Sequence, residues 1–405
     1  MNILVLTPWF PDHPNDQQGN FVLDSIEALR ALGHRVHVIV TRPIVPHFRS
    51  DAKRRGCASI KAEMSQRGFS LACREYLSIP RNYLRCVSNR LYLMGCTGTV
   101  RRAIADNAID VIHAHTELAG YLACAVADDA HVPVVTTVHG INRDRRYLRG
   151  LGQPAFLRRA FSRPERIALV GAPLFDFVRN HVAALGHVRV VHNGFREQGA
   201  APFRMRRVLR SRESVQIVSV SNLVEGKGID TNLAALGRPE MAGLPHWHYH
   251  IVGDGRLRSS LEAQVRTLGI SGRVTFHGQC SHDEVYRLLS TCDVFSLPSS
   301  PEAFGVAYLE AMACGLLSIG VEGQGPSSFI ENARTGVLIR ERDVAGLASC
   351  LLGVFNDPEG YASIAEAGRE HVWQHCTWQV HAQAMIAEFQ EALVSCRSGN
   401  RSVAG

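Results

Sequence analysis

No apolar run in this 405-residue chain approaches the ~20 residues needed to span a bilayer. The opening MNILVLTPWF also lacks the basic stretch and small-residue cleavage site of a secretory signal. A cytoplasmic chain is the expectation. Cysteine occurs 11 times, but singly, at Cys57, Cys73, Cys86, Cys96, Cys124, Cys280 and elsewhere, with no CxxC pair and no regular spacing. That pattern argues against a disulfide framework or a cysteine metal site and fits reduced thiols. No Gly-x-Gly-x-x-Gly follows the first strand, which argues against a nicotinamide enzyme. No nucleic-acid module is recognisable, and basic residues do not interleave with aromatics.

What the chain does have is an ordinary globular composition, 46% hydrophobic, over a length that implies two or three domains. Its net charge of +7 is unevenly spread, since Arg42 to Arg102 holds 13 basic residues against three acids, Asp51, Glu63 and Glu75. Such a stretch attracts anionic lipid head groups, at about 1 kcal/mol per basic residue near the surface, or a diphosphate-bearing substrate. A merely solvated charged face is the plainer alternative.

Asn2 to Thr7 reads as a strand, Phe21 to Leu32 as an amphipathic helix closing at Gly33, and Arg35 to Val40 as a second strand. The alternation continues through DVIHAH (110–115), VPVVTTVH (132–139), RIALVGA (166–172) and VRVVHNG (188–194). After a charged, aperiodic stretch from Ala200 to Glu213, read as a linker, a second series begins. Its strands are QIVSVSN (216–222), WHYHIVGDG (247–255), RVTFHG (273–278), DVFSLPS (293–299), LLSIGV (316–321) and GVLI (336–339), and one intervening helix opens with Ser281 and Glu284 at capping-box spacing. The fold class is therefore α/β with two successive doubly wound parallel sheets, and ligands are expected outside the carboxyl ends of the strands, in the cleft between the halves. The expected domains are 1–200 on the acceptor side, 201–378 on the nucleotide-sugar side, and 379–405 as a helix crossing back.

The segment SSPEAFGVAYLEAMACG (299–315) places Glu302 in a turn, a helix start near Gly305 and a stop at Gly315. A helical path would hold Glu302 and Glu310 roughly 12 Å apart. The paired carboxylates of glycoside hydrolases stand only ~5–9.5 Å apart, so two ends of one elongated ligand fit better. Between them the amides of Phe304, Gly305 and Val306 and the helix dipole suit a phosphate. The plainer alternative is a pair of surface acids near an ordinary helix start.

Glu-x7-Glu followed by AMACG resembles the signature of family 4 of the retaining glycosyltransferases, which have the two-domain GT-B fold. SVSNLVEGKGID resembles that family's phosphate-binding strand and loop, HIVGDG and RVTFHGQCSHDEV its nucleotide pocket, VVHNG the exit from its first domain, and VVTTVHG its acceptor-side strand. With LTPWFPDHPNDQQGNFV and VEGQGPSSFIEN, the chain is also similar to transferases that build bacterial cell-surface polysaccharides, such as the teichuronic-acid type. The resemblance implies transfer of a hexose-type sugar from a UDP- or GDP-linked donor to a sugar or lipid-linked acceptor, with retention and no cofactor beyond that co-substrate. It places Glu302 against the donor sugar, Glu310 on the ribose hydroxyls, Lys227 on the diphosphate, and Gly253, Gln279 and Cys280 about the nucleotide. His139 and Gly19 would meet the sugar or its phosphate. Where most relatives have an arginine five residues before the lysine, this chain has Asn222, which hydrogen-bonds but adds no charge.

An Asp-x-Asp motif, with which metal-dependent transferases of another fold hold a divalent ion on the diphosphate, is missing, so no metal site is expected. Lys227 and the helix start would stand in the metal's place. His246, His248 and His250 alternate along one strand, and His113 and His115 frame another strand end; neither set has an evident second shell. Two other readings remain open: a nucleotide-sugar epimerase or hydrolase on this fold, and a non-catalytic nucleotide-sugar-binding assembly protein.

Overall fold

The computed structural model describes residues 1–11, 19–44, 64–65, 67–79, 85–140, 153–181, 185–204, 214–244 and 246–398. Its contacts divide the chain into two compact units, one of Met1–His192 with Gln379–Gly405 and one of Asn193–Trp378. Much of the basic Arg42 to Arg102 stretch, including Arg49, Lys53, Arg54, Arg55, Lys61 and Arg81, lies outside the described residues, as does most of the expected linker.

Among the described residues the first unit holds seven strands: β1 (Asn2–Thr7), β2 (Arg35–Ile44), β3 (Ser70–Leu77), β4 (Val111–His115), β5 (Val134–Val138), β6 (Arg166–Leu169) and β7 (Val188–Val190). They form one parallel sheet in the order β3-β2-β1-β4-β5-β6-β7. Alternate residues of β1 serve opposite cores. Ile3 and Val5 pack with Val22, Ile26 and Leu29 of the helix Asn20–Ala31 and with Met385 and Phe389 of the last helix. Leu4 and Leu6 pack with Tyr92, Val100 and Leu122 from the helices Arg85–Asn107 and Glu117–Ala130. A parallel sheet covered on both faces explains the almost unbroken apolar runs of these strands. β3 escapes that pattern, because SLACREYL is an edge strand whose buried positions include only Leu71 and Tyr76 among its large apolar side chains.

The second unit holds β8 (Ser214–Val220), β9 (His246–Val252), β10 (Val274–Gly278), β11 (Val294–Ser296), β12 (Leu317–Val321) and β13 (Val337–Ile339). They are again parallel, in the order β10-β9-β8-β11-β12-β13. Ser281 caps the helix His282–Leu289 with Glu284 completing the box: each satisfies the other's backbone N–H, at 3.4 and 2.7 Å.

The division falls at His192/Asn193, ahead of the boundary expected at 200. Residues after Asn193 are tied to the end of the second unit. Phe195 N–H donates to the Cys376 carbonyl (3.3 Å), the Phe195 ring packs edge-on against Trp373, and Gly194 lies against the Thr377–Trp378 backbone with no room for a Cβ. The last helix, Trp378–Arg397, returns to the first unit. There, beyond its apolar packing, Glu388 accepts from Arg166 Nε of β6 at 2.7 Å, each side chain 11% exposed. The ten cysteines among the described residues are free thiols.

A buried pair of this kind is costly to break from one side. Glu388→Leu, which strands the Arg166 guanidinium, is expected to destabilise the first unit by about 3–5 kcal/mol, with most of the loss recovered when Arg166→Met is added. Urea denaturation followed on the full chain checks this; a single-variant loss under about 1 kcal/mol would show the pair to be idle.

Candidate active site

In the second sheet the strand order reverses between β8 and β11, the place where open α/β sheets leave a crevice at their carboxyl ends. Two loops meet there backbone to backbone. Ser300 N–H donates to the Gly226 carbonyl (2.7 Å), and a Cβ on Gly226 would come 2.7 Å from the Ser300 carbonyl oxygen. Gly228, left-handed at φ 71°, sits against the Pro298 carbonyl where any side chain would collide. The Ser300–Pro301 peptide is cis.

Lys227, held between these glycines, donates from Nζ to Oε2 of Glu302 at 2.8 Å. Ser299 Oγ donates to the same oxygen at 3.0 Å, and Glu302 N–H donates to Gln324 Oε1 at 2.9 Å. Both side chains keep some contact with solvent, 27% for Lys227 and 13% for Glu302. The expected lysine and first glutamate are thus brought together. Ser299 and Gln324, which hold the glutamate, lie within motifs visible in the sequence, but nothing there shows which side chain they face.

The helix Val306–Ala313 starts at Gly305, whose φ of 93° and ψ of 70° an L side chain rarely adopts, and no side chain caps it. Tyr308 N–H returns to the Gly305 carbonyl (3.1 Å), so Val306 and Ala307 precede the first hydrogen bond of the helix, where backbone N–H groups have no intrahelical acceptor. Phe304 is fixed differently: its ring is buried against Phe329, with centroids 5.2 Å apart, and its backbone lies against Gly325. Tyr308 hydroxyl donates to the Leu297 carbonyl and so ties the helix to the end of β11.

Glu310, farther along that helix, is 6% exposed. Tyr286 hydroxyl donates to its Oε1 at 3.4 Å and also reaches the Arg196 carbonyl at 3.2 Å. Burial, then the Glu310 carboxylate, pushes the Tyr286 phenol well up, so it stays a donor. His282 Nδ1 lies 3.7 Å from Glu310, but burial and then Arg196 hold its pKa down at about 4, so at neutral pH this is a contact with an uncharged ring. Neither Tyr286 nor His282 is legible as a partner of Glu310 from the sequence.

Along the same edge Gly253, at φ 122°, lies against the Ser221 carbonyl beside Asn222 and donates its N–H to the Gly278 carbonyl at 2.7 Å. Gln279 and Cys280 follow; Asn222 and Gln279 are exposed and Cys280 half-buried, its thiol raised by burial and by Glu284. The strand-end loops therefore bring Asn222, Gly253, Gln279 and Cys280 side by side. His248 and His250 lie farther back. His248 bonds Thr275 Oγ1 (2.8 Å), and His250 bonds His277 (3.0 Å) and Gln216 (3.0 Å). Among the described residues no His, Cys, Asp or Glu group is arranged to hold a metal.

His139 and Gly19 belong to the first unit. His139 follows β5 directly, and Gly19, left-handed at φ 82°, begins the helix Asn20–Ala31 against the Trp9–Phe10 backbone. His139 is not alone. Its Nε2 lies 2.8 Å from Nδ1 of His115, while His113 Nε2 meets Thr137 Oγ1 at 2.8 Å. His381, from the last helix, donates from Nδ1 to the His192 carbonyl (2.7 Å) and accepts from Ser25 Oγ at Nε2 (2.9 Å). Burial first, then repulsion between neighbouring rings, holds His113, His115 and His139 well below 6.5, and burial holds His381 at about 4.

Histidines kept neutral in the fold charge freely once unfolded, so below pH 6.5 the unfolded chain takes up protons that the folded chain refuses. Stability is expected to be level above that pH and to fall as pH drops from 6.5 toward about 4, by up to about 1.4 kcal/mol per pH unit for each such histidine. Thermal denaturation across this range checks it, and a flat profile would show that the rings charge within the fold.

Two family models match the chain, Glycosyltransferase Family 4 over residues 18–198 and Glycosyl transferases group 1 over residues 203–371. Glycogen synthase of Mycobacterium tuberculosis is 30% identical over 285 residues, covering 68% of this chain and 67% of that protein. The GDP-mannose-dependent monoacylated alpha-(1-6)-phosphatidylinositol monomannoside mannosyltransferase of Corynebacterium glutamicum is 30% identical over 173 residues, 41% of this chain and 44% of that one. Among solved structures, HepE of Anabaena in complex with UDP and glucose aligns with a TM-score of 0.66 at 19% identity over 96% of this chain and 99% of its own. Sucrose-phosphate synthase of Thermosynechococcus elongatus aligns with a TM-score of 0.73 at 19% identity over 98% and 100%. With two Rossmann-like units in the observed strand orders, the chain belongs to the group 1 and family 4 glycosyltransferases and has their GT-B fold.

Proposed function

We propose that the chain transfers a hexose-type sugar from a nucleoside-diphosphate sugar to an acceptor hydroxyl, with retention at the anomeric carbon and without a metal or other cofactor. The observation that carries this reading is the Lys227–Glu302 contact at the start of the Gly305 helix, with Glu310 buried farther along the same helix. It supplies one ammonium and open amides for a diphosphate, a carboxylate for the sugar on one side and a carboxylate for the ribose hydroxyls on the other. Lys227 leaves Glu302 for the diphosphate as the donor binds and steadies the charge that grows on the leaving group. The leaving phosphate takes the acceptor proton on the same face, so no side chain attacks the sugar. Phe304, Gly305 and Val306 form the phosphate cradle, and Asn222, Gly253, Gln279 and Cys280 hold the nucleotide. Gly19 and His139 of the first unit are assigned to the transferred sugar or its phosphate.

The donor class is supported by HepE, solved with UDP and glucose, and by relatives named for GDP-mannose. Relatives named for lipopolysaccharide core and phosphatidylinositol mannoside synthesis support an acceptor in surface polysaccharide or glycolipid synthesis. No helix among the described residues is long and apolar enough to cross a membrane. The basic Arg42 to Arg102 stretch supports peripheral attachment at the inner membrane face.

A panel of UDP- and GDP-sugars with product analysis tests the reaction; nucleotide release that needs no acceptor would mark a hydrolase instead. Glu302→Gln is expected to lower kcat by on the order of 10²-fold with little change in nucleoside diphosphate affinity. Glu310→Gln is expected to weaken that affinity by about tenfold. A chelator should leave turnover unchanged, and unchanged kinetics in both variants would overturn the site. Anionic vesicles should bind the chain at low salt and release it as salt rises; vesicles left unbound at low salt would end the membrane proposal.

A further inference from the structure

Three imidazoles, those of His113, His115 and His139, lie ring against ring at the carboxyl end of β4 and β5. His113 and His115 have centroids 4.1 Å apart, and His115 and His139 stack nearly parallel, at 7° and 5.0 Å. His115 is 1% exposed and ends β4. Nδ1 of His115 and Nε2 of His139 are 2.8 Å apart, so one of them carries a proton and the other accepts it. The opposite nitrogens, Nε2 of His115 and Nδ1 of His139, are both buried and meet no partner among the described residues.

Only two proton arrangements satisfy this geometry if both rings are neutral, and each leaves one N–H without a protein acceptor. If His139 donates, the idle N–H sits on His115, a ring only 1% exposed. If His115 donates, the idle N–H sits on His139 Nδ1, itself buried, but on a strand-end ring that as a whole is only partly buried. An orphaned N–H costs least on the ring that water or a ligand oxygen can approach more closely, which selects the second arrangement. We infer that His115 is a positioning residue: its Nδ1–H donates to Nε2 of His139 and thereby holds the His139 proton on Nδ1, where it serves as a hydrogen-bond donor. Phosphate oxygens have only lone pairs to offer and sugar hydroxyls readily accept, so a neutral Nδ1–H donor suits either, whereas a bare Nδ1 would repel a phosphate. The inference rests on the assignment of His139 to the transferred sugar or its phosphate only for its consequence in turnover, not for the proton's position.

The test is nitrogen NMR of the full chain carrying labelled histidine, with the His139 and His115 signals identified by His139→Asn and His115→Asn. In both rings Nδ1 should be protonated and Nε2 bare; a His139 ring protonated on Nε2 overturns the inference. In His115→Leu the donor is lost, and the His139 proton should leave Nδ1, with kcat falling at least about tenfold while nucleoside diphosphate affinity holds. In His115→Asn the side-chain amide occupies the place of Nδ1 and keeps a donor, so the His139 signal and kcat should stay within about threefold of the parent. Equal loss in both variants would reduce His115 to packing. If no nucleotide sugar is ever turned over, the proposed reaction fails while the NMR result still decides where the proton lies.

Discussion

The second unit depends on two loops touching through glycine. With a Cβ at 226 or 228, the turn after β8 would have to withdraw from the Pro298–Ser300 carbonyls, and Lys227 would no longer reach Glu302. Everything that follows on the chain's carboxyl side of that contact is arranged from it. Ser299 and Gln324 fix the glutamate, Gly305 turns the backbone into the helix, and Tyr308 ties that helix back to the strand. A lysine bonded to a carboxylate and yet partly in water is a poised group. In the proposed reaction its charge moves to the diphosphate by the exchange of that one contact.

The first unit uses the carboxyl end of its sheet in another way. There it buries a set of imidazoles, keeps them neutral by desolvation and mutual repulsion, and orients them through Thr137, Ser25 and the His192 carbonyl. His381 enters this set from the last helix, so the returning helix does more than cover apolar surface.

Much of this was legible in the sequence because parallel strands covered on both faces read as apolar runs ending in Gly, Pro or polar turns. Among the described strands that signal located all except β3, whose exposed edge position permits the Arg and Glu of SLACREYL. The strands proved shorter than their apolar runs: Val134–Val138 stops before His139, and Val294–Ser296 stops well before Pro298. The Gly305 helix start and the Ser281 capping box follow from local backbone chemistry and were readable for that reason. The unit boundary was not, since Asn193 to Ala200 joins the second unit through contacts with Cys376 and Trp373 that are remote in sequence. Tyr286 against Glu310, Gln324 against Glu302 and His115 against His139 share that difficulty, because each pair is made by strand and helix placement and not by spacing.

The central claim is that Lys227 exchanges Glu302 for the donor's diphosphate. Calorimetric titration of the parent chain and of Lys227→Met with a nucleoside, its monophosphate and its diphosphate tests it most directly. A loss of about tenfold or more confined to the diphosphate, with the nucleoside bound equally by both, is the predicted result. Equal affinities for the diphosphate in the two proteins would contradict the account.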